Sequence, residues 1–436
     1  MERAKLLSTP EFAPGFILNS SRSRRCEVAL AAGFFAALAL SPLSAQAQGE
    51  EELRLEVLRL REQLARAEAR LAEAEKEEEE VKGEGSSSAP LQFGGLKVGG
   101  AMRVNYVYGD YTESAGGNPS RSKSDGGNFE FDTFRINLDY AKDAWLGKVE
   151  YRFYDGYHFL HTGWLGYKFS EEGQLQVGVN RVPFGPGPYG VSQSWMFDQH
   201  YYVGLSDDMD LGAKYTRKMA DWTIDLAYYY SDEGSYAGST SKAARYSYDL
   251  IDEDGGGYQE RNQINLRGIY SLETQGGVKM DLGASAQYGQ LDSRGSQEDG
   301  DHYAGSLHAV SKWNNWTLAT QLSYYHYDVG YAPGSGFNDL GGSQVQFGAY
   351  DYTTPVAAEA WIPALSLSYY LETSEIPWLD YLVPYLEYSS LVKSESGFND
   401  SQMVVLGSAW AYGNWYSYTD LAFSNGNDFV GNTSGW

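Results

Sequence analysis

Two short patterns have the glycine or acidic spacing of a ligand-binding motif, and each departs from that motif at a decisive position. Gly185-Pro-Gly187-Pro-Tyr-Gly190 has the GxGxxG spacing of a dinucleotide-binding turn, but Pro188 and the lack of a helical pattern after it exclude such a turn. Asp252-Glu-Asp254-Gly255 is composed like a calcium loop, yet Leu250 and Arg261 occupy its first and twelfth positions. We expect an acidic surface loop there.

The histidines and the single cysteine give no metal or catalytic motif. His158 and His161 are three residues apart, which on a strand or loop does not place them on one face, and no third ligand is near in sequence. No serine occurs in a GxSxG pattern, and His200, His302, His308 and His326 lack partners nearby in sequence. The sequence therefore predicts no catalytic residue, no metal site and no cofactor.

Composition excludes further classes. The 436 residues carry 33 Lys and Arg against 58 Asp and Glu, a net charge of -25, which argues against a nucleic-acid partner. The longest apolar run is Val28 to Leu40, 13 residues, which is too short for a membrane-spanning helix. Aromatic residues make up 15% of the chain, which also contains 50 Gly. This balance indicates an all-β protein with many short strands and turns.

The first 90 residues predict a targeting segment, a helix and a linker. Three arginines precede the apolar run and Ala45-Gln46-Ala47 follows it, so residues 1–47 are interpreted as a signal peptide, which removes Cys26. Residues 48–82 predict a coiled-coil helix, and the alternative is a single charged helix in solvent. Residues 83–90 predict a linker, and residues 91–436 a β domain. The heptad positions are Leu53, Val57, Leu60, Leu64, Ala67, Leu71 and Ala74.

Beyond residue 90, apolar and polar residues alternate with period two. Phe134, Ile136 and Leu138 alternate with polar neighbours, for example, and similar runs recur along the chain. This pattern fits either a soluble sandwich with an apolar core or a membrane barrel with apolar residues toward lipid. Aromatic residues at strand ends and long loops that alternate with tight turns favour the barrel. We expect an all-β transmembrane antiparallel β-barrel.

Strand counting gives fifteen strands, the last at Trp415 to Phe423, whereas closed bacterial barrels have an even number. Either Gln344 to Tyr352 supplies another strand, or the chain stops before strand 16, since Ser424 to Trp436 does not alternate. The second interpretation implies a barrel that lacks its last strand.

Several segments resemble the phosphate-selective porin O and P family and its relatives with an amino-terminal coiled coil. They are Gly163 to Phe169, Gln176-Val-Gly-Val-Asn-Arg-Val-Pro-Phe-Gly185, Asp210 to Tyr215 and Ile376 to Tyr381. The resemblance implies a homotrimer of 16-stranded barrels in the bacterial outer membrane, held together through the barrel wall and the coiled coil. It places the amino-terminal helix in the periplasm and a third loop inside each barrel. It also implies passive diffusion of small polar solutes or ions.

Candidate site residues follow from strand phase and from the third loop, Gly185 to Asp210, which contains four aspartates and no Lys or Arg. That composition departs from a phosphate-selective constriction. An acidic, aromatic loop facing a basic wall would create a transverse field; alternatively, the charges pair on the wall and set no selectivity. The predicted pore-lining residues are Arg103, Arg135, Asp139, Lys148, Glu150, Arg152, Arg181, Asp225, Arg267, Lys279 and Asp281, and the predicted constriction-loop residues are Tyr189, Trp195, Asp198, His200, Tyr201, Asp207 and Asp208.

Two other functions remain open at this point. The barrel could anchor a structural tether whose helix grips periplasmic material, or it could carry a lipid hydrolase. A hydrolase would need a Ser/His pair on adjacent outward-facing strands, and the sequence does not supply an evident one. Outer-membrane lipid is the expected environment in each case.

Overall fold

The computed structural model describes residues 91–109, 126–239, 242–253, 256–330, 342–373 and 375–425. These residues belong to one compact unit, Ser87–Trp436. The predicted signal peptide, coiled-coil helix and linker, and the segment after residue 425, lie outside the described residues. Within the described ranges, no helix is long and apolar enough to cross a membrane.

Strands make up most of the described chain. They are β1 (Leu91–Phe93), β2 (Leu96–Val107), β3 (Asn128–Lys142), β4 (Trp145–Phe153), β5 (His158–Lys168), β6 (Gly173–Arg181), β7 (Met209–Met219), β8 (Trp222–Asp232), β9 (Asp249–Leu250), β10 (Asp252–Glu253), β11 (Gly256–Glu273), β12 (Lys279–Ser293), β13 (Gly300–Trp313), β14 (Trp316–Asp328), β15 (Gln344–Ala349), β16 (Tyr352–Ala357), β17 (Glu359–Tyr369), β18 (Leu371–Glu372), β19 (Tyr381–Lys393), β20 (Ser401–Tyr412) and β21 (Trp415–Asn425). One short 3-10 helix, Tyr201–Val203, interrupts the loop between β6 and β7.

Fifteen long strands, β2–β8, β11–β14, β17 and β19–β21, form one continuous antiparallel sheet. Each strand pairs with the next long strand along the chain. This is the up-and-down connectivity of a barrel wall. The count equals the number of strands that alternation predicts, and no ladder joins β21 to β2 among residues 91–425 that the structure describes.

The segment Gln344 to Tyr352 is not a wall strand. Gln344–Ala349 forms β15, which pairs with β16 and with β9 of the preceding long loop. These three strands make a separate small sheet at the end of the long loops. The possibility that this segment supplies a sixteenth wall strand is therefore wrong.

Connections at one end of the sheet are tight because the sequence supplies turn residues there. Asp143, Ala220, Asn314 and Gly413 have positive φ values of 53°, 37°, 50° and 53°. Each begins a two-residue turn that places flanking residues in register, as Trp313 opposite Trp316 shows. Long connections occur at the opposite end, notably residues 182–208, 233–255 and 329–358.

The sheet is apolar on its exposed face and polar on its buried face. On β13, Leu307 is 65% exposed and its neighbour Ser306 is 5% exposed. On β11, Ile264 is 52% exposed and its neighbour Asn265 is 0% exposed. On β19, Leu386 is exposed and its neighbours Tyr385 and Glu387 are buried. This is the inverse of a soluble sandwich, in which the apolar face is buried, and it matches a barrel in lipid.

Exposed aromatic side chains ring the tight-turn end of the barrel. Trp145, Trp222, Trp316 and Trp415 each begin a strand directly after a tight turn, and all are exposed. Trp and Tyr favour the membrane–water interface, where an apolar ring and a polar group are both accommodated. The aromatic girdle expected from the sequence is thus present at this end.

A cation introduced in the middle of the apolar belt should destabilise the folded protein in a bilayer. We expect Leu307→Arg to lower the unfolding free energy by about 2–4 kcal/mol, because it places a guanidinium in hydrocarbon. Urea titration of the protein folded into lipid vesicles measures the change. Glu171→Arg, at an exposed tight turn, is the matched control and should change little; equal losses in both variants would contradict the outward orientation of Leu307.

Candidate functional site

The loop of residues 182–208, hereafter the third loop, has its own internal framework centred on Asp198. The Asp198 carboxylate accepts hydrogen bonds from the backbone N–H groups of Val191 at 2.8 Å and His200 at 2.9 Å. His200 Nδ1 lies 2.9 Å from the same carboxylate. Gly190 adopts a φ of 61°, and a Cβ there would lie 2.3 Å from an Asp198 oxygen. Glycine is therefore required for this close approach.

The third loop contacts the inner face of the barrel wall on several sides. The Gly185 N–H donates to Ser285 Oγ on β12 at 3.1 Å, and Arg267 on β11 donates to the Gly185 carbonyl at 3.3 Å. His200 Nε2 lies 2.8 Å from Ser323 Oγ on β14. A loop between β6 and β7 can reach these strands only by crossing the space that the sheet encloses.

Glu387 on β19 is the main anchor of the loop on the far wall. Its carboxylate accepts hydrogen bonds from the Ser192 hydroxyl at 2.7 Å, from the Gln193 N–H at 2.5 Å and, on the wall itself, from the Ser366 hydroxyl at 3.0 Å. Hydrogen bonds to a carboxylate are stronger than those between neutral groups. The tip of the loop is therefore fixed by a charged acceptor.

Trp195 at the loop tip contacts both the first and the last wall strands. Its backbone N–H donates to Asp420 Oδ2 on β21 at 3.0 Å, and the Arg103 guanidinium of β2 lies 3.6 Å from the centre of its ring. The first and last strands of the fifteen-stranded sheet thus contact the same residue, β21 through its backbone and β2 through its ring. The sheet is curled into a barrel around the third loop.

Most of the charged residues predicted to line the bore are paired with an opposite charge. Arg103 pairs with Asp132, which the sequence prediction did not include. The other pairs are Arg135 with Glu150 at 3.5 Å, Lys148 with Asp139 at 3.7 Å, Arg152 with Glu150 at 2.6 Å, Arg181 with Asp207 at 2.5 Å and Arg267 with Asp225 at 2.7 Å. Asp281 accepts a hydrogen bond from Ser271, and Lys279 is exposed at the tight-turn end.

Four of these cations are more accessible to solvent than two of the carboxylates that they contact. The side chains of Arg103, Arg135, Lys148 and Arg181 are 35–40% exposed, whereas Glu150 and Asp207 are 7% and 2% exposed. An exception is Asp139, at 53%. Along this part of the wall, solvent in the bore therefore meets mainly cationic groups.

The acidic face expected on the third loop is absent from the described structure. Asp198, Asp207 and Asp208 are all buried, because Asp198 organises the loop backbone and Asp207 pairs with Arg181. His200 and Tyr201 are buried as well. Of the predicted constriction residues, only Tyr189 and Trp195 remain partly exposed. An aspartate-rich sequence thus produces buried hydrogen-bond acceptors and not an acidic constriction.

An aromatic cluster joins the third loop to two other long loops. The Tyr201 ring lies 5.1 Å from Tyr248 and 6.0 Å from Tyr246 in the loop of residues 233–255, the fourth loop. Its hydroxyl is hydrogen-bonded to Tyr350, between β15 and β16. Contacts between segments that are distant along the chain leave no local signal in the sequence. The same is true of the contacts that Glu387 and Asp420 make with the third loop. The alternation of Tyr246 and Tyr248 with polar residues is the one sign of a buried face.

Beside this cluster, the fourth loop contains a buried ionic group. Arg245 lies 2.6 Å from Asp232, 3.2 Å from Asp249 and 3.8 Å from Glu233. Burial raises the pKa of Glu233 well above its usual range, and the charge of Asp249 raises that pKa further. Desolvation of these carboxylates is therefore only partly offset by the single guanidinium.

Removing the Glu387 anchor should loosen the third loop and leave the wall intact. Glu387→Ala eliminates three hydrogen bonds, so we expect a loss of about 1–3 kcal/mol in unfolding free energy and faster proteolysis between residues 182 and 208. Denaturant titration and mass spectrometry of the cleavage products measure the two effects. The control Glu372→Ala removes an exposed carboxylate on β18; unchanged proteolysis in Glu387→Ala would contradict the anchoring role.

A curled antiparallel sheet with an apolar exterior, a polar interior, tight turns at one end and long loops at the other is the architecture of an outer-membrane β-barrel. The third loop inside the wall makes it a barrel with a narrowed bore. Its outer surface fits lipid, and its inner surface fits water and ions.

No protein-family model matches the chain, and no curated protein is similar to it in sequence. Solved structures that are similar to it include the anion-selective porin from Comamonas acidovorans, with 12% identity, coverage of 76% of this chain and 88% of that chain, and a TM-score of 0.47. The outer membrane channel DcaP of Acinetobacter baumannii has 11% identity, coverage of 79% and 95%, and a TM-score of 0.46. OmpT of Vibrio cholerae has 13% identity, coverage of 77% and 89%, and a TM-score of 0.44.

Proposed function

We propose that the protein is an outer-membrane porin through which small hydrophilic solutes or ions diffuse passively. The observation that supports this most directly is the reversed polarity of the wall, with leucines outside and polar or charged side chains inside. A bore lined in this way holds water, and the third loop narrows it. No catalytic step is needed for such a role.

We further propose that the bore prefers anions. Arg103, Arg135, Lys148 and Arg181 keep a third or more of their side-chain surface exposed, while two of the four carboxylates that they contact, Glu150 and Asp207, are buried. An ion in a narrow aqueous bore is screened less than in bulk water, so the exposed cations raise the local anion concentration. Phosphate is one of the anions that such a wall would attract.

For the assembly, we propose a homotrimer in the bacterial outer membrane with the amino-terminal helix in the periplasm. The heptad spacing of residues 48–82 supports self-association of that helix. An isolated helix of this length is only marginally stable in water, and an interface between barrels would hold three copies together. The exposed apolar outer face gives the wall a surface that can pack against another copy or against lipid.

Conductance of the purified protein in a planar bilayer tests the porin proposal. We expect stepwise channels in multiples of three and, in a KCl gradient, a reversal potential of the sign that indicates chloride preference. Added phosphate should reduce the chloride current if it binds to the same cationic side chains of the wall. A silent protein that folds fully in vesicles would contradict the proposal and favour a tether or a lipid hydrolase.

One charge reversal on the inner wall tests the origin of selectivity. Lys148→Glu should move the reversal potential toward cation preference, because it replaces a partly exposed cation beside Asp139. The matched control is Arg294→Glu, the same change of charge at an exposed position in the loop after β12. An equal shift in both variants would assign the effect to overall charge and not to the bore.

A further inference from the structure

Three buried carboxylates from three parts of the chain converge beside the third loop. Asp208 is at the end of that loop, Asp210 is at the start of β7, and Asp249 is on β9 in the fourth loop. One oxygen from each lies within 4.8 Å of the others. The residues are 4%, 1% and 1% exposed, so solvent does not separate their charges.

Two oxygens of this triad have no hydrogen-bond partner. They are Oδ1 of Asp208 and Oδ1 of Asp210. The other Asp210 oxygen accepts a hydrogen bond from Gln263 at 3.0 Å. A buried carboxylate oxygen without a partner is costly, because the group has lost its hydration without replacement. A partner for these two carboxylate oxygens, such as a cation, is therefore expected at this position.

The protein supplies too little positive charge to neutralise the group. Arg245 pairs with Asp249, Asp232 and Glu233, and among the described residues no Lys, Arg or His nitrogen lies within 4.0 Å of the carboxylates of Asp208 or Asp210. A second cationic group is missing from this otherwise compact cluster.

We propose that Asp208, Asp210 and Asp249 bind a hard divalent cation of the size of Ca²⁺. The three side chains offer only oxygen donors, which suit Ca²⁺ and not a softer transition metal, and Ca²⁺ tolerates irregular coordination. The two free oxygens would be ligands, and the ion would provide the missing charge. This site is separate from Asp252 to Gly255, which the calcium-loop pattern does not fit.

Such an ion would cross-link the structure around the bore. Asp208 belongs to the third loop, Asp210 to the wall and Asp249 to the fourth loop, whose β9 also pairs with β15 of the loop between β14 and β17. One ion would thus fix the third and fourth loops to the wall. Through the pairing of β9 with β15, it would also hold the loop between β14 and β17. The proposed role is structural, and it holds whether or not the bore conducts ions.

Calcium titration of the full-length protein in detergent tests the site. After treatment with a chelator, the wild type should bind one Ca²⁺ per chain in isothermal titration, and its melting temperature should rise as Ca²⁺ is added. Asp208→Asn combined with Asp210→Asn should lose this binding. Asp221→Asn, at an exposed tight turn, is the control and should keep it.

Two binding results would each overturn the proposal. They are a wild-type protein that takes up no Ca²⁺, and a folded Asp208→Asn/Asp210→Asn variant that binds as well as the Asp221→Asn control. If the double variant does not fold, hydrogen exchange of the wild type replaces it: Ca²⁺ should slow exchange in residues 198–210 and 242–252. Identical exchange with and without Ca²⁺ would also refute the site, and none of these measurements depends on conductance.

Discussion

The structure depends on the need to satisfy polar groups on the concave side of the wall. Lipid covers the convex side, so polar side chains must face inward, where they need water or a protein partner. The third loop supplies many of those partners: Ser285, Ser323, Glu387 and Asp420 all bond to it from different strands. The loop is therefore as much a part of the core as a restriction of the bore.

Alternation and turn residues allowed the wall to be predicted, because each strand shows its own period and each tight turn has a local signal. The fifteen wall strands and the phase of most of the charged residues follow from these patterns. The chemistry of the third loop could not be predicted in this way. Asp198 appears acidic and exposed in the sequence, but its carboxylate accepts hydrogen bonds within its own loop. Glu387 appears to be one more polar residue of a strand, although it anchors a segment almost two hundred positions away.

Two kinds of charged group occur on the described wall and its long loops, and they behave differently. Arg103, Arg135, Lys148 and Arg181 of the wall are partly exposed to solvent, so their contribution depends on salt. The carboxylates of the fourth loop are sealed from solvent beside Arg245, where screening is weak. The first group can influence which ions pass, and the second can hold the loops together. Net charge alone, at -25, would have indicated neither role.

The junction at Trp195 also bears on how the cylinder forms. Its bond to Asp420 joins residues 225 positions apart, and Arg103 approaches the same residue from the opposite end of the sheet. Contacts between such distant segments form late, since the intervening chain must first be ordered. Placement of the third loop at this junction is therefore expected among the last steps in the formation of the barrel.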